Sequence, residues 1–153
     1  FMFFYNLARN GKMSGTVQEI RYINRDENTH LYLFRQIILE LRKECPELFD
    51  EASIEEYRGM IREGVEQEIA WGRYVIGDSI PGLSGDMVDE YIRYLGNLRS
   101  AGLGFGELFP GGRHEPESMK WVGEYSNANL IKTDFFEAKP TAYSKSTALE
   151  DDL

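Results

Sequence analysis

The sequence is most informative first in what it lacks. A single cysteine, Cys45, excludes an intrachain disulfide framework and a cluster of thiolate ligands, a usage that fits a reducing cytoplasm. Basic residues are scarce: 17 Lys and Arg face 26 Asp and Glu, for a net charge of −9. Binding phosphates needs a surplus of cations on one face, so nucleic acid and anionic membrane are not expected partners. No apolar run approaches the ~20 residues of a membrane span. Strand-like alternation is sparse, and there is no internal repeat. No Ser-His-Asp pattern is present, and His114 stands in a Gly/Arg/Pro loop with no second ligand at useful spacing. Gly102-x-Gly104-x-Gly106 follows a helical pattern instead of a strand, so it reads as a helix ending and not as a phosphate loop.

What remains is the composition of an ordinary globular domain, 42% hydrophobic and 28% charged, with helical periodicity from the start to about Phe105. The opening Phe1-Met2-Phe3-Phe4-Tyr5 lacks the flanks of a signal peptide. It reads as the tail of a helix that begins earlier, and so as part of a split, trimmed or incomplete chain. That helix stops at Asn10-Gly11. Ser14 or Thr16, with Glu19, is expected to cap a second helix that runs to about Glu44, before Pro46. Its stripe of Val17, Ile20, Ile23, Leu31, Phe34, Ile37, Ile38 and Leu41 is expected to be buried, with Arg21, Arg25, Asn28, Arg35 and Arg42 on the opposite side. A third helix is expected from Ser53, through the capping box Ser-Ile-Glu-Glu, to about Gly77. A fourth starts near Ser84. From Pro110 the pattern is lost, and a flexible tail is expected to follow the helical domain of residues 1–125, over 126–153.

At about 100° per residue, Glu27 and His30 fall inside the apolar stripe of the second helix. Two ionisable groups in a hydrophobic seam are costly unless paired or coordinated. Glu-x-x-His brings a carboxylate and an imidazole to one point, the helical half-site of dinuclear carboxylate proteins. The plain alternative is a Glu–His hydrogen bond with no metal.

The segment Ile20-Arg21-Tyr22-Ile23-Asn24-Arg25-Asp26-Glu27-Asn28-Thr29-His30-Leu31 resembles the second Glu-x-x-His helix of class I ribonucleotide reductase small subunits. Gln67-Glu68 with Trp71 and Tyr74 resembles the next helix of that family. Gly82-Leu83, Tyr91-Ile92 and Asn97-Leu98-Arg99 resemble the one after. Asp134-Phe135-Phe136-Glu137 and the acidic, apolar end resemble its tail. The resemblance implies an all-α, ferritin-like bundle, represented by its C-terminal helices. It also implies a radical-generating function in the reduction of ribonucleotides to deoxyribonucleotides.

Residue by residue, the resemblance makes Glu27 and His30 metal ligands, with the Glu bridging. It places Asp26 and Tyr143 on the radical-transfer route and Phe1 and Ile23 in the pocket around the radical site. Leu149, Glu150, Asp151, Asp152 and Leu153 become the anchor to the large subunit. Taken alone, Asp26 reads as a surface acid paired with an arginine. The dinuclear centre would hold iron in the first instance, with manganese or a mixed pair as alternatives. Four of its six protein ligands would lie before Phe1, so the expected partners are the missing N-terminal half, the large subunit and, when complete, a second small subunit. Two rival readings are another ferritin-like dimetal oxidase, which has no need of Tyr143 or the acidic end, and a non-catalytic helical module that binds the large subunit.

Overall fold

The structure is a computed structural model, and it describes residues 1–77 and 79–126; Tyr143 and Leu149–Leu153 lie outside the described residues. Among those described there is no strand, only an isolated bridge between Ile80 and Leu83, and no helix is long and apolar enough to cross a membrane. Among the described residues five α-helices follow one another: α1 (Met2–Arg9), α2 (Ser14–Glu44), α3 (Glu51–Val75), α4 (Gly85–Gly102) and α5 (Trp121–Ser126).

Local chemistry sets most of the boundaries. α1 ends at Asn10, and Gly11 takes the left-handed φ of +69° that glycine adopts without steric cost. The start of α2 departs from expectation: neither Ser14 nor Thr16 caps it. Met13 occupies the cap position at φ 52°, with no side-chain hydrogen bond. α3 begins earlier than the Ser53 capping box predicts. The Asp50 carboxylate accepts the Ser53 amide at 2.7 Å, and these backbone bonds hold its pKa below the usual range. Asp is the stronger cap because its charge also meets the positive end of the helix. α4 starts where expected, and Ser84 caps it, accepting from the Met87 amide at 3.3 Å.

α3 and α4 make the most extensive helix–helix contact. Each presents a glycine to a valine of the other: Gly72 lies against Val88, and Gly96 against Val65. Removing one side chain from each pair lets the backbones come close enough for Val65, Ile69, Val88 and Ile92 to form one core with Tyr5, Tyr91, Leu108 and Phe109. Arg73 ties the end of α3 to the start of α4 through Asp86 at 2.9 Å and Asp89 at 2.8 Å. After α4, the buried Asn97 knits the glycine-rich connection back onto the helix. Its Oδ1 accepts from the amides of Leu108 and Phe109, and its Nδ2 donates to the Phe109 carbonyl.

Between residues 111 and 126 the chain is more ordered than its sequence implies. A 3-10 turn over Glu117–Met119 leads into α5, and Met119 and Val122 are 0% and 3% exposed. Sequence periodicity misses α5 because six residues give it only one apolar contact turn. Met119, Val122 and Tyr125 at spacings of three are the signal that points to it.

Burial also sets the behaviour of Tyr91, whose hydroxyl pKa is pushed up to about 12, chiefly by desolvation and then by the Glu115 carboxylate. Its unfolded pKa is near ~10. The folded state therefore holds the proton that the unfolded state releases, so stability falls as pH rises between the two values. Tyr91→Phe is expected to flatten the alkaline limb of a pH–stability curve measured by urea unfolding. An unchanged limb would show that the hydroxyl is not protected in the core.

Candidate metal half-site

α2 lies on the protein in a manner opposite to its amphipathic pattern. Val17 and Tyr22 are buried, Ile20 packs partly buried against the core and Ile38 is half-buried, but most of the predicted buried stripe from Ile23 onward is uncovered. Ile23 is 48% exposed, Phe34 62% and Ile37 45%, and Leu31 and Leu41 are exposed as well. The side predicted to meet solvent instead meets the body. Arg35 Nε donates to the Gly102 carbonyl at 2.9 Å, and Arg42 donates to the Leu103 carbonyl at 3.1 Å. Arg58 of α3 adds bonds to the Phe105 and Glu107 carbonyls. Three guanidinium groups thus satisfy carbonyls at and beyond the C-terminus of α4, where backbone acceptors are orphaned and the helix dipole favours cations. Near its start α2 is held by aromatic contacts, Arg21 lying over the Tyr125 ring at 5.3 Å and Tyr125 stacking on Tyr5 at 6.3 Å.

The expectation that the apolar stripe is buried therefore holds at Val17 and in part at Ile20, and is corrected for Ile23, Leu31, Phe34, Ile37 and Leu41, which are exposed. Glu27 and His30 sit within that uncovered stripe. The Glu27 Oε2 and His30 Nδ1 are 3.4 Å apart, with side chains 52% and 59% exposed. The three-residue spacing on a regular helix brings them together. A carboxylate and a neutral imidazole are suitable donors for a first-row divalent metal. Among the described residues no group of three or more His, Cys, Asp or Glu side chains is placed to hold a metal ion. The donor set thus fits half of a centre and not a whole one.

The other predicted site residues do not converge on this pair. Asp26 pairs with its neighbour Arg25 at 3.0 Å on the exposed surface. Phe1 stacks on Tyr5 at 6.4 Å and helps line an open cavity of about 480 Å³ between α1, α2, α3 and α4, with Asn24 and Asn28 on its α2 wall. Ile23, Glu27 and His30 are not in that lining. The structure adds Tyr5, which sequence reading left as part of an apolar run. It is 1% exposed, and burial raises its hydroxyl pKa.

Comparison with known proteins gives a consistent result. The family model described as ribonucleotide reductase, small chain, matches residues 1–116. The beta subunit of ribonucleoside-diphosphate reductase from Treponema pallidum is 70% identical over 153 residues, covering 100% of this chain and 44% of the relative. The beta subunit from Halalkalibacterium halodurans is 43% identical over 148 residues, covering 97% and 42%. The chain thus spans less than half the length of these relatives. A ribonucleotide reductase R2 subunit from Clostridium botulinum superposes with a TM-score of 0.76 at 46% identity, over 80% of this chain and 38% of that one. The helix order is accordingly that of the ferritin-like fold of those subunits. With the Glu-x-x-His pair inside the matched span and sequence and fold in agreement, the chain belongs to the ribonucleotide reductase small-chain family.

Proposed function

We propose that this chain supplies one Glu-x-x-His half-site to the dinuclear metal centre of a ribonucleoside-diphosphate reductase small subunit. In that reading the subunit generates the radical that a large subunit uses to reduce ribonucleotides to deoxyribonucleotides. The observation that carries it is the Glu27–His30 pair, 3.4 Å apart on an apolar face that nothing described covers. An exposed apolar stripe with two metal-type donors at its centre is suited to being closed by helices that bring the remaining ligands.

Glu27 and His30 would both hold metal there; iron is the first candidate, with manganese or a mixed pair as alternatives. Bound there, the centre supplies oxygen activation and a one-electron oxidant. Ile23 and Phe34 flank the pair one turn away on either side and keep water from it once the face is closed. Phe1 and Ile23 belong to the radical-site pocket, and Asp26 exchanges its surface pairing with Arg25 for a place on the radical-transfer route. Tyr143 carries that route to the subunit interface. The complete small subunit is a cytoplasmic homodimer.

The end of the chain, Leu149-Glu150-Asp151-Asp152-Leu153, anchors the large subunit: two leucines fill an apolar groove and three acids meet basic edges. Two such anchors at ~1.5–3 kcal/mol each predict that deleting Leu149–Leu153 weakens binding at least about a hundredfold. Titrating the large subunit with the completed small subunit, with and without the five residues, checks this. Equal affinities would remove the tail from the interface. Turnover that never depends on the large subunit would favour an independent dimetal oxidase.

A further inference from the structure

Six residues are too few for α5 to hold its own shape, since helices shorter than ~12–15 residues are marginal in water. Contacts to α1 and α2 set its place. Arg9 of α1 lies over the Trp121 ring at 5.2 Å, and three groups meet at Tyr125. The Tyr125 ring stacks on Tyr5 at 6.3 Å and 25°, meets Trp121 edge to face at 6.3 Å, and lies under the Arg21 guanidinium at 5.3 Å. Arg21 Nε is buried with no hydrogen-bond partner among the described residues. The face of Tyr125 therefore offsets part of the cost of burying that charge, and a desolvated cation–π contact is stronger than a surface one.

The stack does not end at Tyr5. Tyr5 is 1% exposed, and its ring in turn stacks on Phe1 at 6.4 Å and 22°. Val122 and Ser126 of α5 line the same cavity as Phe1 and Tyr5. α5 thus backs the Phe1 ring through Tyr5 and closes one side of the space beside it.

We propose that Tyr125, braced by Arg21, is a positioning residue for Phe1. Tyr125 holds the Tyr5 ring, and Tyr5 holds the Phe1 ring in the wall of the radical-site pocket, with water kept from that side. The inference rests on the reading of Phe1 as part of that pocket. It gives α5 a role apart from metal binding and from the partner anchor.

Nitration of Tyr5 by tetranitromethane, mapped by peptide mass spectrometry in the 153-residue chain, reads the brace with no metal present. Tyr74, 83% exposed, is the internal reference. Tyr5 is expected to react at least about tenfold more slowly than Tyr74 in the unchanged chain and in Y125F, which keeps the ring. Y125L and R21Q are expected to raise the Tyr5 rate at least about tenfold, while amide exchange in α3 and α4 stays unchanged. Equal protection of Tyr5 in Y125L and R21Q overturns the proposal, and so does loosening of α3 and α4 together with α5. The second measurement is the half-life of the organic radical in the completed small subunit, followed by electron paramagnetic resonance beside elemental analysis. Y125L is expected to shorten it at least about threefold with metal loading unchanged, and Y125F to leave it as it was. Loss of metal along with the radical overturns the positioning role, as does an unchanged half-life. F1A separates the two failures. A half-life shortened by F1A and not by Y125L defeats the brace alone, whereas one indifferent to both defeats the reading of Phe1.

Discussion

Glu27→Ala and His30→Ala are expected to leave the chain folded while stripping metal from the completed small-subunit centre. Both side chains are about half exposed, and their mutual contact at 3.4 Å is a surface pair. Such pairs contribute ~0–1 kcal/mol, and surface substitutions shift stability by about 0.5 kcal/mol or less. Metal binding responds differently. On the proposed assignment both side chains are donors to the centre, so removing either is expected to reduce loading from about two ions per centre to one or none. The measurement is elemental analysis of the chain reconstituted with its complementary segment and ferrous iron, beside a urea curve for each variant. Full two-metal loading of Glu27→Ala would sink the ligand assignment and leave the pair as a surface hydrogen bond. A loss of stability together with metal would show the pair to be structural. Comparison with Glu27→Gln separates charge from shape, since the amide keeps the volume and loses the anionic donor.

Gly96→Val is expected to be among the most destabilising single changes in the fold. A Cβ at this position would lie 2.6 Å from Val65 Cγ2 and 3.2 Å from the Phe109 ring. Both neighbours are core residues, so neither can swing into solvent. Overpacking of this kind costs ~1–3 kcal/mol and at times more, against which valine regains ~0.5 kcal/mol of helix propensity over glycine. Gly64, on the open side of α3, has nothing within 4 Å of its virtual Cβ. Gly64→Ala should therefore stabilise by up to ~1 kcal/mol. Val65→Ala in the Gly96→Val background should recover part of the loss, because it clears the specific clash, and a double-mutant cycle reads that coupling directly. If Gly96→Val shifted the urea midpoint no more than Gly64→Val, the close approach of α3 and α4 would be refuted.

Much of the helix plan was legible because it depends on neighbours in sequence. Asn10-Gly11 stops α1, Pro46 limits α2, and Ser84 caps α4, each through a local preference of the backbone. Where two local signals competed, the reading went astray. Asp50 took the cap of α3 from Ser53, and Met13 began α2 with no cap at all. The Glu-x-x-His pair was legible for the same local reason: a spacing of three on a helix is a distance in space whatever the helix packs against.

What the sequence by itself determined is therefore the first four helices, their amphipathic faces, the donor pair on α2 and the family whose pattern they share. Only the tertiary structure decided which faces are covered. An apolar stripe records a need for burial without naming the partner that supplies it, so Ile23, Phe34 and Ile37 read as core although no described element reaches them. The arginines on the far side of α2 find the carbonyls at and beyond the C-terminus of α4, and these contacts turn that side toward the body. Those contacts join residues more than sixty positions apart, beyond the reach of any periodicity. They leave the metal-type pair facing outward on a surface that still requires a partner.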